Sequence, residues 1–248
     1  MSFSRFISPF LLFVSLLFAT QVNSQEIFRP YDASNGPVAA LLGFGTGALG
    51  VSSYFGRKVQ PLTDEQIRSL DPANIWGIDR YSLGTYSLPA DEWTDKLLLA
   101  SFASPFFVLL GNRGRDNFND ISLIVFEGAL INAGLNNMSK VFGKRARPYA
   151  YNPDVPNHIK KQISSRYSFY SGHAATSAFF SITAAKLYND LYPDSKARPY
   201  VWAVGALIPA LVSYGRMRGG RHFFTDVLTG FIMGSAVAIA VPELNKRF

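Results

Sequence analysis

From residue 96 onward the chain runs in apolar stretches separated by short polar connections. The stretches 96–111, 120–139, 174–191, 199–214 and 225–242 lack the strict alternation of a strand, and each is long enough for a helix. Upstream, 38–55 (VAALLGFGTGALGVSSYF) is uncharged but rich in glycine, which lowers helix propensity and leaves that helix open. Residues 57–95 are polar, and within PLTDEQIRSL Thr63 is placed to cap a short helix. The pattern predicts an all-α bundle of five or six helices.

Composition changes the setting of that bundle. Hydrophobic residues are 48% and charged residues 17%, the latter below the roughly 25% of soluble domains, so the bundle reads as membrane-embedded. Arg5, the apolar run 10–19 and Val22-Asn23-Ser24 have the layout of a signal peptide over 1–24, with an uncleaved anchor as the alternative. The expected organisation is that leader, an N-terminal exported segment over 25–95, and a helical domain over 96–248. The chain has no cysteine, which excludes disulfides, thiolate chemistry and Cys-ligated metals.

The net charge of +7 is unevenly spread. Between 140 and 166 lie Lys140, Lys144, Arg145, Arg147, Lys160, Lys161 and Arg166, against Asp154 alone. Such a loop suits nucleic acid, an anionic lipid surface or a phosphorylated substrate. Nucleic acid fits worst, because no binding module stands beside the loop and its neighbours are apolar.

Three charged constellations sit between the predicted helices. The first is Lys140, six residues, then Arg147-Pro148. The second is Ser171-Gly172-His173, where an apolar helix begins. The third is Arg216, five residues, His222, three residues, Asp226, enclosed by apolar stretches on both sides. Ser171 is placed to cap the helix near His173, leaving backbone N–H groups facing an anion. On a helix, His222 and Asp226 share a face, so the carboxylate can orient the imidazole. Lys140, Arg147 and Arg216 supply three cations for a dianionic phosphoryl group. Gly219-Gly220 permit a close backbone approach.

In this order the three pieces resemble the signature of the type 2 phosphatidic acid phosphatase superfamily, which includes bacterial lipid phosphatases, class A acid phosphatases and vanadium haloperoxidases. The resemblance covers Lys140 to Asp226. It implies that His222 is the nucleophile forming a phosphohistidine, that Asp226 orients it and that His173 is the general acid. Lys140, Arg147, Ser171, Gly172 and Arg216 match its phosphate-binding positions. Tyr170 stands where proline usually precedes Ser-Gly-His, a departure expected to loosen the turn into the helix cap. Gly215 stands where serine usually precedes the arginine.

Other polar residues have plainer readings. His158 reads as a solvated loop residue, and Lys144, Arg145, Arg218 and Arg221 as headgroup contacts or solvated charges. Glu127, Asn132, Asn136 and Asn137 read as hydrogen-bonded inside the bundle. Tyr149 and Tyr151 suit either substrate entry or interfacial anchoring. The expected activity is a metal-independent phosphatase, without cofactor, acting on a lipid phosphate or diphosphate at the outer membrane–water boundary. A soluble periplasmic acid phosphatase and a non-catalytic lipid-binding protein are the alternatives. The positive-inside rule places Arg113, Arg115, Lys186, Lys196, Arg198, Lys246 and Arg247 in the cytoplasm and the motifs outside. A cleaved leader followed by a spanning 38–55 segment reverses that parity, which favours a 38–55 segment that does not fully span.

Overall fold

The structure, a computed structural model, describes residues 28–33 and 37–247; the expected signal peptide lies outside them. Six long helices dominate: α1 (Val38–Gly56), α2 (Leu88–Phe102), α3 (Phe118–Gly143), α4 (Gly172–Leu191), α5 (Arg198–Arg218) and α6 (Phe224–Leu244). Among the described residues there is no strand, only an isolated bridge between Tyr31 and Lys246. The chain is therefore all-α.

Local chemistry sets the helix ends. Thr63 caps its short helix as expected, accepting from the Gln66 N–H at 3.2 Å. Lys144 closes α3 in the left-handed conformation, with φ of 44°. The stretch expected over 96–111 is displaced. Ser87 accepts from the Ala90 N–H at 3.3 Å and Pro89 occupies the first turn, so α2 starts at Leu88 and crosses the expected segment boundary at residue 95. It stops at Phe102, and a short turn beginning Ser104-Pro105 follows.

The glycines of 38–55 do not prevent a helix, because one of them serves packing. A Cβ on Gly45 would lie 2.9 Å from the Leu130 Cβ, so α1 and α3 approach as small-residue helices do in a bilayer. Similarly, a Cβ on Gly234 of α6 would lie 2.1 Å from the Ala175 carbonyl of α4. That places α4 at the centre of the bundle, buried along nearly its whole length. The helices α1, α3 and α6 are long and apolar enough to cross a membrane, and Phe44, Phe126, Phe142, Ile232 and Ile239 point outward from them. By length and composition 38–55 can therefore span, and the glycine argument against its helix is removed. At the end opposite the motifs, Asp190 takes the Tyr31 hydroxyl (2.9 Å), Lys186 and Lys246, tying residues 28–33 to α4 and the end of α6.

The polar residues of α3 behave mostly as expected. Glu127 accepts from Asn245 at 3.0 Å, Asn132 donates to Thr176 at 3.4 Å, and Asn136 donates to the Tyr170 carbonyl at 2.9 Å. Asn137 is the exception and is exposed.

Candidate active site

All three sequence constellations meet at one end of the bundle, because α3 and α5 end there while α4 and α6 begin there. Lys140 is in the last turn of α3 and Arg216 in the last turn of α5. Ser171 caps α4, accepting from the Ala174 N–H at 3.3 Å. Gly172 follows it, in so tight a place that a Cβ would lie 2.9 Å from the Lys140 Nζ and 2.8 Å from the Asn136 Oδ1. The first turn of α4, with its free N–H groups, therefore sits against the Lys140 ammonium.

Three donors here have no partner among the described residues. Arg147 Nε and Arg216 Nε are buried without a hydrogen bond, and the Lys140 ammonium makes no side-chain hydrogen bond or ion pair. Buried guanidinium N–H groups are costly to leave unpaired. A polar-lined opening of about 290 Å³ lies beside Lys140, bounded by Ser52, Ser53, Asn137, Val141 and Tyr167.

The two histidines occupy different environments. His222 is buried, and its Nδ1 lies 2.8 Å from the Ser168 carbonyl oxygen. A carbonyl only accepts, so Nδ1 carries the hydrogen and Nε2 keeps its lone pair. Burial pushes the imidazole down to about 3 against the pull of Asp226, and the Arg147 and Arg216 charges push the same way as burial. It is neutral at physiological pH. His173 is partly exposed, with Nε2 2.8 Å from Asp95 Oδ1.

The Asp226 geometry corrects one expectation. His222 precedes α6 rather than lying on it, so Asp226 Oδ2 is 3.8 Å from Nδ1, beyond hydrogen-bonding distance. Asp226 instead accepts from the Phe223 N–H (2.9 Å) and from Ser168 Oγ (2.5 Å). It thereby fixes the turn whose carbonyl holds the imidazole.

Arg145 and Arg221 are not free headgroup contacts. Arg145 donates through Nη1 to Asp226 (2.6 Å) and Thr225 (2.8 Å), and through Nη2 to Asp79 (2.7 Å). Asp79 also accepts the Thr225 N–H at 2.8 Å. Arg221 pairs with Asp91 at 2.5 Å. Tyr149 does not line an entry: it is fully buried and its hydroxyl bonds Ser165 Oγ at 2.8 Å. Lys144, Arg218 and His158 are exposed, as expected.

Both motif departures have a local explanation. Tyr170 is not loose, since its N–H donates to Ser139 Oγ at 3.1 Å and its carbonyl accepts from Asn136. At Gly215 a Cβ would lie 2.3 Å from Thr94 Cγ2 and 2.4 Å from the Trp93 ring, so α2 packs where a serine would stand.

Sequence reasoning missed Asp79, Asp91, Asp95 and Ser168, and it took Arg145 for a headgroup contact or solvated charge. The spacing of Asp91 and Asp95 on a Ser-capped helix was a usable signal, since residues four apart share a face. Nothing in the sequence marks a carbonyl such as that of Ser168.

Residues 122–248 match the model of the PAP2 superfamily. A lipid A 4'-phosphatase from Porphyromonas gingivalis is 24% identical over 62% of this chain and 62% of its own length. Phosphatidylglycerophosphatase B of Bacillus subtilis is 30% identical over 60% of this chain and 70% of its own. The chain thus matches under two thirds of the first of these relatives. The crystal structure of a transmembrane PAP2-type phosphatidylglycerolphosphate phosphatase from Bacillus subtilis aligns with 83% of this chain and 99% of its own, at 23% identity and a TM-score of 0.45. By the span of the family match and the relative from Bacillus subtilis, this chain belongs to the PAP2 superfamily.

Proposed function

We propose that the chain is a membrane phosphatase hydrolysing a lipid phosphate or diphosphate, without a metal ion, through a phosphohistidine on His222. The observation that carries this reading is the cluster of cationic donors without a partner among the described residues: Arg147 Nε and Arg216 Nε, with the charges of both arginines acting on Lys140, whose Nζ lies against the first turn of α4. A dianionic phosphoryl group satisfies all of them and gains more as charge spreads over its oxygens in the transition state. His222 Nε2, with its lone pair free, attacks phosphorus and the ester P–O bond breaks. The leaving alkoxide takes a proton from His173. Water then attacks the phosphohistidine, giving its proton to His173 and releasing phosphate. The Ser168 carbonyl and the nearby Asp226 carboxylate offset the positive charge of the phosphorylated imidazole.

The lipid character rests on the apolar outer faces of α1, α3 and α6, which also oppose the soluble alternative. The relatives named for lipid A and phosphatidylglycerophosphate suit the same class. Basic residues at the opposite end of the bundle support a site facing outward from a bacterial-type envelope.

The test compares two substrates in excess chelator. His222→Ala should be inactive on both a lipid phosphate and p-nitrophenyl phosphate, because no nucleophile remains. His173→Ala should lose about 10²–10⁴-fold on the lipid phosphate and much less on the nitrophenyl ester, whose leaving group departs unprotonated. Rescue of His222→Ala by the good leaving group would reverse the two roles, and dependence on an added divalent ion would refute the metal-free mechanism.

A further inference from the structure

The acid side of the site is built by a helix that lies upstream of the family-matched residues 122–248. On α2, Asp91 and Asp95 stand one turn apart and face the motif residues. Asp91 pairs with Arg216 through one oxygen and with Arg221 Nε at 2.8 Å through the other. Asp95 Oδ1 is 2.8 Å from His173 Nε2 and 3.4 Å from Arg216 Nη1. Thr94, between them, accepts from Arg216 Nη1 at 3.4 Å. One turn of α2 thus grips both the arginine and the histidine. The turn is itself held in place, because Trp93 and Thr94 pack on Gly215 without room for a side chain.

We infer that Asp95 is a positioning residue for the proton donor: it fixes the tautomer and orientation of His173, while Asp91 fixes Arg216. The inference rests on the phosphatase reading above. A carboxylate facing Nε2 accepts its hydrogen, so Nε2 stays protonated and Nδ1 is the nitrogen that exchanges protons. When His173 is cationic, the Nδ1–H proton passes to the leaving oxygen and the neutral Nε2–H tautomer remains. In the second half-reaction Nδ1 takes the proton of the attacking water, restoring the cation. Asp95 remains an acceptor throughout, and every proton is accounted for.

The electrostatics around His173 give Asp95 a second effect. Burial and the Arg216 charge push the imidazole down, while Asp95 and then Asp91 push it up, leaving it at about 4. A bound phosphoryl dianion adds a further upward push. Removing Asp95 takes away upward support, so the cationic acid should persist only to a lower pH than in the wild type.

The experiment uses the full chain in detergent and compares wild type, Asp95→Asn and Asp95→Ala on a lipid phosphate and on p-nitrophenyl phosphate. Asp95→Ala should lose about 10–100-fold in kcat on the lipid phosphate, with little change in KM and little change in rate on the nitrophenyl ester. Its kcat profile should fall away at a lower pH than that of the wild type. Asp95→Asn keeps an acceptor without the charge and should lie between the two. Asp95 is largely exposed, so neither variant should shift the unfolding temperature. Equal losses on both esters would mean a structural role and overturn the inference. Unchanged rates would do the same, as would a gain in rate with lower KM, the mark of a carboxylate that merely obstructs the anion site. If the wild type turns over neither ester, the phosphatase reading falls and takes this inference with it; an active wild type matched by Asp95→Ala defeats the role of Asp95 alone.

Discussion

Replacing Arg145 by alanine tests whether the clamp around His222 is structural chemistry or ornament. The guanidinium bridges Asp226 and Asp79, whose side chains are 0% and 2% exposed, at 2.6 and 2.7 Å. It also stacks on Phe223 at 4.1 Å from the ring centre. Removing one partner of a buried pair costs about 3–5 kcal/mol, chiefly because the remaining charge is stranded. Both carboxylates keep other donors, the Phe223 N–H and Ser168 hydroxyl for one and the Thr225 N–H and hydroxyl for the other. The Arg145 side chain is itself 26% exposed. These facts set the expected cost at the low end, about 3 kcal/mol, or about 6–12 °C in unfolding midpoint for a chain of this size. Arg145→Lys should recover only part, because a single ammonium cannot fork between two carboxylates. Adding Asp79→Asn to Arg145→Ala removes one stranded charge, and a double-mutant cycle should report coupling of about 1 kcal/mol or more. The assay is thermal unfolding in detergent, with kcat measured on the same samples. A midpoint for Arg145→Ala within about 2 °C of wild type, or a fully functional Arg145→Lys, would refute the reasoning.

Two further outcomes are expected. Gly172→Ala places a methyl group 2.8–2.9 Å from Asn136 and Lys140, so it should displace Lys140 and raise KM for a lipid phosphate while costing about 1–3 kcal/mol of stability; unchanged KM would show that the first turn of α4 does not meet the phosphate. For orientation, the chain has no cysteine, so Asn157→Cys, at the site end, should react with an impermeant thiol reagent on intact cells and Asn112→Cys, at the other end, should not; the opposite labelling would turn the site inward.

The helices α3 to α6 were legible because each is a long apolar run whose ends carry their own signals. Ser171 caps α4, and the expected 174–191, 199–214 and 225–242 all fall inside the observed helices. The stretch 96–111 was misplaced for a physical reason. Its first turns, LPADEWTD, are polar because they face the charged end of the bundle, so hydropathy alone starts the helix too late. The glycine-rich 38–55 was left open because propensity prices an isolated helix, whereas Gly45 makes α1 dock on α3.

The site divides along the same line. The residues expected from spacing, order and the family resemblance, His222, His173, Lys140, Arg147 and Arg216, are those whose proposed role depends on their own chemistry. Those whose role depends on what they touch could not be named in this way. Arg145 and Arg218 look alike in sequence, yet one bridges two buried carboxylates and the other is exposed. The most instructive case is the pair of supports for the two histidines. Asp226, four residues from His222, looks like its hydrogen-bond partner but stands 3.8 Å away and works through Ser168. Asp95, 78 residues from His173, is its hydrogen-bond partner at 2.8 Å. A helix terminus explains both. Asp226 spends its oxygens on the N–H and hydroxyl groups at the start of α6, as an acid near a helix N-terminus does. His173, within the first turn of α4, presents its ring to whichever helix crosses that end, and the helix that crosses there is α2. Sequence proximity therefore pointed to an orienting contact that is in fact a capping one, while the contact on His173 is set by how the helices pack.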